Sequence, residues 1–329
     1  MGGSYSQEDF ERGALSLYKY VLECVPCQLP DVGIDESLLK YSGSDSNAEL
    51  QAYSEEMLNK VPSYVHSLGS AFGALNTVPN AVGLGALVIS MIIDITIKGG
   101  TQTSADTYGL LRRVFGEEKA SSVRDTMSEY LKRHEYCMND DQELRGEIKR
   151  LEQELSNHLT ILRNSLLHDG QMSSRGFKIW VNGAAFHVQM LIHGARLDIQ
   201  AGRPASVNKI KAAIDGYLRY LDPLLKEYKT FKINSDVFIS YYWWSLFNEK
   251  PETSYCKMVN NDIEGCWISL HGWPWPCSYG KEYMVPFMDI VYSKYEPIKG
   301  LKSYFLNIKN NLNSRIHDRG SFTVPSAAG

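Results

Sequence analysis

The residues with the means to do chemistry are few and scattered. Eight histidines occur among the 329 residues. His187 and His193 share one predicted helix but lie six positions apart, about 240° around its axis, so they cannot grip one ion from that helix alone. The H-E-x-x-H spacing of a zinc protease is absent. Core or interface positions are the expected fate of both rings. Six cysteines are present: Cys24-Val-Pro-Cys27, a looser group of Cys256, Cys266 and Cys277, and Cys137 by itself. A zinc site needs a second C-x-x-C or a histidine pair at finger spacing, and neither exists. The C-x-x-C runs into Gln28-Leu29-Pro30 and not into a strand-to-helix turn, so a thioredoxin-type motif is not indicated. Scattered reduced thiols are one reading; disulfides in an exported protein are the other. There is no G-x-S-x-G, no P-loop and no G-x-G-x-x-G after a strand. Gly83-Leu84-Gly85 lies inside an apolar run and lacks a third glycine in register. No catalytic residue, metal ligand or cofactor site is therefore expected, and the chain reads as non-enzymatic.

Composition narrows the partners. Lys+Arg number 34 and Asp+Glu 38, a net charge of −4 with pI ≈ 6.1. Nucleic-acid binding normally needs a basic excess, so nucleic acid is not an expected partner. With 43% hydrophobic and 22% charged residues the chain has enough apolar side chains for a packed core. The first twenty residues lack the basic start and apolar run of a secretory signal, and no asparagine sits in an N-x-[ST] sequon. This predicts a cytoplasmic chain or one exported by another route. Met1-Gly2-Gly3-Ser4-Tyr5-Ser6 fits the short N-myristoylation pattern.

The elements that would position any site read as mostly helical. A first helix covers 8–24, and a Pro-, Gly- and Ser-rich loop covers 26–46. The capping box Ser46-Asn47-Ala48-Glu49 predicts a helix from about 47, kinked at Pro62. Asn76–Asn80 reads as a turn. Residues 81–97, AVGLGALVISMIIDITI, form the most apolar stretch and end at Lys98-Gly99-Gly100. Seventeen helical residues span about 25 Å, slightly short of a ~30 Å hydrocarbon core. With 61–75 they form a predicted apolar hairpin, slimmed by Gly69, Gly73, Gly83, Gly85 and Ala86. In a soluble state Leu84, Leu87, Val88, Met91 and Ile92 must be covered, and Asp94 needs a cationic or hydrogen-bonding partner.

A long amphipathic helix is predicted over 117–168. Leu144, Ile148, Leu151, Leu155 and Leu162 recur along it in a heptad-like seam that His158 completes. Residues 176–200 are apolar nearly all round, which predicts a central helix with Trp180, Phe186, Met190 and Leu191 buried. Another helix covers 206–229. Sixteen aromatic residues then crowd 231–295, including Tyr241-Tyr242-Trp243-Trp244 and Trp273-Pro274-Trp275-Pro276. They either fill a small irregular subdomain or meet a membrane interface, a sugar or a cation. A last amphipathic helix is predicted over 298–317, with a frayed tail from Gly320.

Two of these stretches, AVGLGALVISMIIDI at 81–95 and NGAAFHVQMLIHGARLD at 182–198, resemble the fish cephalotoxin-like proteins across about residues 15–300. The order of elements is also similar to α-helical pore-forming toxins. The resemblance supplies no active-site residues. It implies a secreted, membrane-active, toxin-like protein. The expected fold class is mainly α. Residues 1–230 form an elongated helical bundle with the apolar hairpin 61–97, and residues 231–329 an aromatic-rich cap. Two functions follow as expectations. The first is a non-enzymatic, pore-forming homo-oligomer that inserts Leu84, Leu87, Val88, Met91, Ile92 and Asp94 into a lipid membrane. The second is a soluble binding protein whose C-terminal region holds a small ligand, glycan or protein partner through Trp243, Trp244, Trp273 and Trp275.

Overall fold

The computed structural model describes residues 6–23, 29–35, 38–39, 77–79, 140–243, 253–260, 267–270, 280–317 and 321–323, with single residues between 122 and 137. These are mainly helical, in seven helices. Helix α1 spans Gln7–Glu23 and strand β1 Thr77–Pro79. Helices α2, α3 and α4 span Asp141–His168, Ser174–Gln200 and Val207–Ser235. Strands β2, β3 and β4 span Asp236–Trp243, Thr253–Asn260 and Trp267–Leu270. Helices α5, α6 and α7 span Gly280–Lys294, Glu296–Asn310 and Leu312–His317, and strand β5 spans Ser321–Thr323.

Helix α3 is the centre. Its apolar side chains point in every direction, and twenty of its residues are buried, among them Trp180, Phe186, Met190 and Leu191. Helices α2 and α4 pack against it and against each other. Phe177 stacks on Tyr228 of α4 with ring centroids 4.9 Å apart, and Trp180 meets Tyr217 edge-on at 5.9 Å. Gly183 lets α2 come close, because a Cβ there would stand 2.7 Å from the Leu159 side chain. Helix α1 lies against α5, where Phe10 and Tyr283 meet edge to face at 5.1 Å. All these helices share one apolar core cluster.

Several expected boundaries move. The long helix expected over 117–168 begins instead at Asp141, because the Asp140 carboxylate accepts hydrogen bonds from the amides of Gln142 and Glu143 and caps a fresh helix. Residues 122–133 are helical where described, and Cys137 lies in a turn between the two. The buried seam of α2 is Leu144, Ile148, Leu151, Leu155, Leu159 and Leu166, whereas His158 and Leu162 are half-buried. That sequence of spacings follows the 3.6-residue period of a straight helix and not a sustained heptad. The boundary expected at 230/231 falls inside α4, which continues to Ser235 and leads directly into β2 through a buried Lys232–Asp236 ion pair of 3.1 Å.

The aromatic segment is more regular than expected. Strands β2, β3 and β4 form an antiparallel sheet, with Phe238 opposite Met258 and Met258 opposite Ile268. Helix α5 occupies 280–294, and the helix expected over 298–317 is two, joined at Asn311. Residues 77–79, expected as a turn, are a strand paired antiparallel with 321–323, in the tail expected to fray. The β-branched Thr77 and Val78 suit that role. The remainder of 61–97, with Leu84, Leu87, Val88, Met91, Ile92 and Asp94, lies outside the described residues, as do Gly2, Cys24, Cys27 and the capping box at 46–49. Cys137 is a free, buried thiol.

Candidate functional site

Two regions concentrate buried polar groups. The first lies where α2, α3 and α4 meet. Glu152, His187 and Tyr217 come from these three helices in turn, and Lys209 comes from the start of α4. The His187 Nε2 is 3.2 Å from Glu152 Oε2, and the Tyr217 hydroxyl is 2.8 Å from His187 Nδ1. A carboxylate can only accept, so the imidazole donates at Nε2; in its neutral form Nδ1 then accepts from the Tyr217 hydroxyl. Lys209 donates from its ammonium to the other Glu152 oxygen. Burial pushes the Glu152 carboxyl up, but hydrogen bonds from His187 and Lys209, with the Lys209 charge, outweigh it and hold the group below its ordinary value. Burial and the nearby Glu152 charge push the Tyr217 phenol far up. Cavities of about 220 Å³ and 310 Å³ flank the array, the first lined in part by His187 and Tyr217 and the second by Glu152 and Lys209. Every member of the array has a partner within it. A phenol held so firmly protonated is a poor nucleophile or base. The array holds three helices in register.

The second region is a cleft of about 720 Å³ between residues 31–35 with Leu39 on one side and helices α6 and α7 on the other. Its near wall is strapped to the core. Asn182 of α3 donates from Nδ2 to the Gly33 carbonyl at 3.0 Å, and its Oδ1 accepts from the Asp35 amide at 2.8 Å. The Tyr295 hydroxyl donates to the Leu29 carbonyl at 3.0 Å. Burial, with the Asp31 charge behind it, pushes that phenol up to about 12. Gly33 passes so close to α6 that a Cβ would lie 3.0 Å from the Pro297 backbone. The far wall is one face of α6, from Glu296 through Pro297, Gly300, Leu301, Tyr304 and Ile308 to Asn311. That stripe rises about 22 Å at 1.5 Å per residue.

Arg315 of α7 stands at the Asn311 end of the cleft. It is 7% exposed. Its Nη2 donates to Asn307 Oδ1 at 2.9 Å, while Nε and Nη1 have no hydrogen-bond partner among the described residues. Its carbonyl accepts from Arg196 Nε at 2.7 Å, so a second cation and not a carboxylate lies on its backbone side. Burial pushes the guanidinium down, and the Tyr304 phenol works the other way. Asp31 and Glu296 stand toward the opposite end, where Lys178 holds Asp31 at 3.0 Å and Lys299 approaches Glu296 at 3.7 Å.

Of the residues expected to carry function, Trp243 closes β2 opposite Thr253, and Trp244, Trp273 and Trp275 lie outside the described residues. His187 and His193 are buried, as expected; His193 Nδ1 is 2.7 Å from the Tyr130 hydroxyl. Sequence reasoning missed Glu152, Lys209, Tyr217 and Arg315. The one signal for Arg315 is its spacing from Ile308 and Leu312, which sets a cation beside Ile316 on the apolar stripe. Among the described residues no group of side chains is arranged to hold a metal ion, and no helix is long and apolar enough to cross a membrane. No protein family, no curated protein and no solved structure matches the chain.

Proposed function

We propose that this chain is a binding protein that takes a small ligand into the cleft between residues 31–35 and helices α6 and α7. The observation that carries the reading is the cleft itself: about 720 Å³, in the size range of small-molecule sites, lined by apolar side chains such as Ile34, Leu39, Pro297 and Leu301 and by polar ones at both ends and along α6. The saturated Glu152–His187–Tyr217 array favours binding over catalysis. This reading sets the ligand against helices α6 and α7, in the same C-terminal region as the tryptophans. Ser303 lines the cleft from the exposed side of α6, so Ser303→Trp fills it without entering the core. A ligand-detected NMR screen of small amphiphiles should give hits with the native chain that vanish with Ser303→Trp. Hits that survive the substitution would remove the cleft from the account.

The apolar run 81–97 supports a second reading, in which the chain is membrane-active and toxin-like, in keeping with its resemblance to the cephalotoxin-like proteins. In this reading the 61–97 hairpin leaves the fold at a lipid surface, the chain assembles as a homo-oligomer, and acid protonates Asp94 to ease release. Dye release from liposomes should then rise as pH falls and lose that dependence in Asp94→Asn. A disulfide tethering Asn80 to the bundle should block release, and unimpaired release from the tethered chain would count the hairpin as ordinary core.

A further inference from the structure

We infer that the cleft between residues 31–35 and helices α6 and α7 is a site for an anionic amphiphile, with the anionic group at Arg315 and an apolar body lying along α6. The inference rests on the binding reading above and names its ligand class.

Three observations converge. Arg315 is a cation removed from water, and its Nε and Nη1 carry N–H groups that nothing among the described residues accepts. An orphaned buried charge is costly, and proteins ordinarily supply it with a carboxylate. Among the described residues its hydrogen-bond partners are the Asn307 amide and, at its carbonyl, Arg196, and neither is negative. Arg315 also lines this cleft of about 720 Å³, so an incoming anion meets a charge that no described residue neutralises. A charge-assisted hydrogen bond in such a place is stronger than one in water.

The middle of the cleft fixes the rest of the ligand. Ile34, Pro297, Leu301 and Ile308 line it between the charged ends, beside Ser303, Tyr304 and Asn307, and the stripe on α6 is long, about 22 Å. That shape fits an extended hydrocarbon better than a compact polar molecule. The far end carries Asp31 and Glu296, so it disfavours a second negative group. A monoanion with one chain matches all three parts. A dianion of the same length would set its second carboxylate among Leu301 and Pro297 or against the two acids, and either position weakens it.

The test is a head-group series measured by titration calorimetry on the full chain, with every probe below its micelle threshold. The native chain should bind dodecanoate about tenfold or more tighter than dodecanol, the spread expected from one desolvated charged hydrogen bond. Dodecyltrimethylammonium and dodecanedioate should both bind more weakly than dodecanoate. Arg315→Met should bind dodecanoate no better than dodecanol, and Arg315→Gln gives the same readout should the first variant fold poorly. Ser303→Trp should lose every probe. If all head groups bind the native chain alike and Ser303→Trp still loses them, the cleft is a site and the anion is wrong. If Ser303→Trp binds dodecanoate as the native chain does, or if no probe binds the native chain, the binding reading itself falls. Binding to phosphatidylglycerol vesicles with no uptake of free dodecanoate would overturn the free amphiphile in favour of a membrane headgroup.

Discussion

The Glu152–His187–Tyr217 array and the Arg315 wall both place ionisable groups inside the protein, and they differ in how those groups are matched. In the array each donor meets an acceptor: Lys209 and His187 share the two Glu152 oxygens, and Tyr217 completes the imidazole. At Arg315 one nitrogen is matched by Asn307 and two have no partner among the described residues. Burial alone therefore does not mark a site. A buried charge whose partners are all in the chain fixes how helices pack; one whose partner is missing leaves free energy that a ligand can recover.

The comparison can be broken or sharpened by substitution, starting beneath the array. Phe186 is 2% exposed at the centre of α3 and meets Tyr130 edge-on. Phe186→Ala should cost about 3–5 kcal/mol by urea denaturation. A loss under ~1 kcal/mol would mean that α3 does not organise the core. Within the array, Tyr217→Phe leaves His187 Nδ1 without a partner and should cost about 1–3 kcal/mol. The array also sets an acid limit. Because Glu152 titrates below its ordinary value in the fold, its contribution is full above about pH 4.3 and is lost as pH falls through the lowered value. Melting temperatures from pH 7 down to 3 should fall more steeply for the native chain than for Glu152→Gln.

Arg315 should behave in the opposite sense. Replacing a buried cation that pairs with no described acid by an apolar side chain of similar length removes a desolvation cost, so Arg315→Met should leave stability unchanged or raise it by about 1 kcal/mol. A loss as large as that of Tyr217→Phe would mean that Arg315 is matched after all, and the contrast between the two regions would disappear. Ser303→Trp should be the mildest change, within about 0.5 kcal/mol of the native chain, since it adds to an exposed face.

Much of the scaffold could be read directly from residue patterns, and the reasons are physical. Helix α3 was expected over 176–200 and spans Ser174–Gln200, because apolar residues on every side leave a helix nowhere to go but the centre. The start of α2 was not legible: its polar and apolar spacing continues across Asp140, and only the cap made by that carboxylate shows the break. Helix α5 was hidden by Pro286 and by aromatic density that reads as irregular chain. The array was half legible. His187 was placed in the core, but the partners that saturate it come from helices 35 and 30 residues away, a relation no local spacing encodes. Arg315 was invisible for a different reason. A charged residue on an amphipathic helix reads as solvent-facing, and nothing local says that the acceptor is missing.

The most direct measurement is the Nε–Hε NMR signal of Arg315, assigned by its loss in Arg315→Met and followed as dodecanoate is added. The account predicts a saturable shift of that signal on the same isotherm as the calorimetric binding, with slower exchange of its proton with water. An Arg315 signal that stays fixed while dodecanoate binds would contradict it.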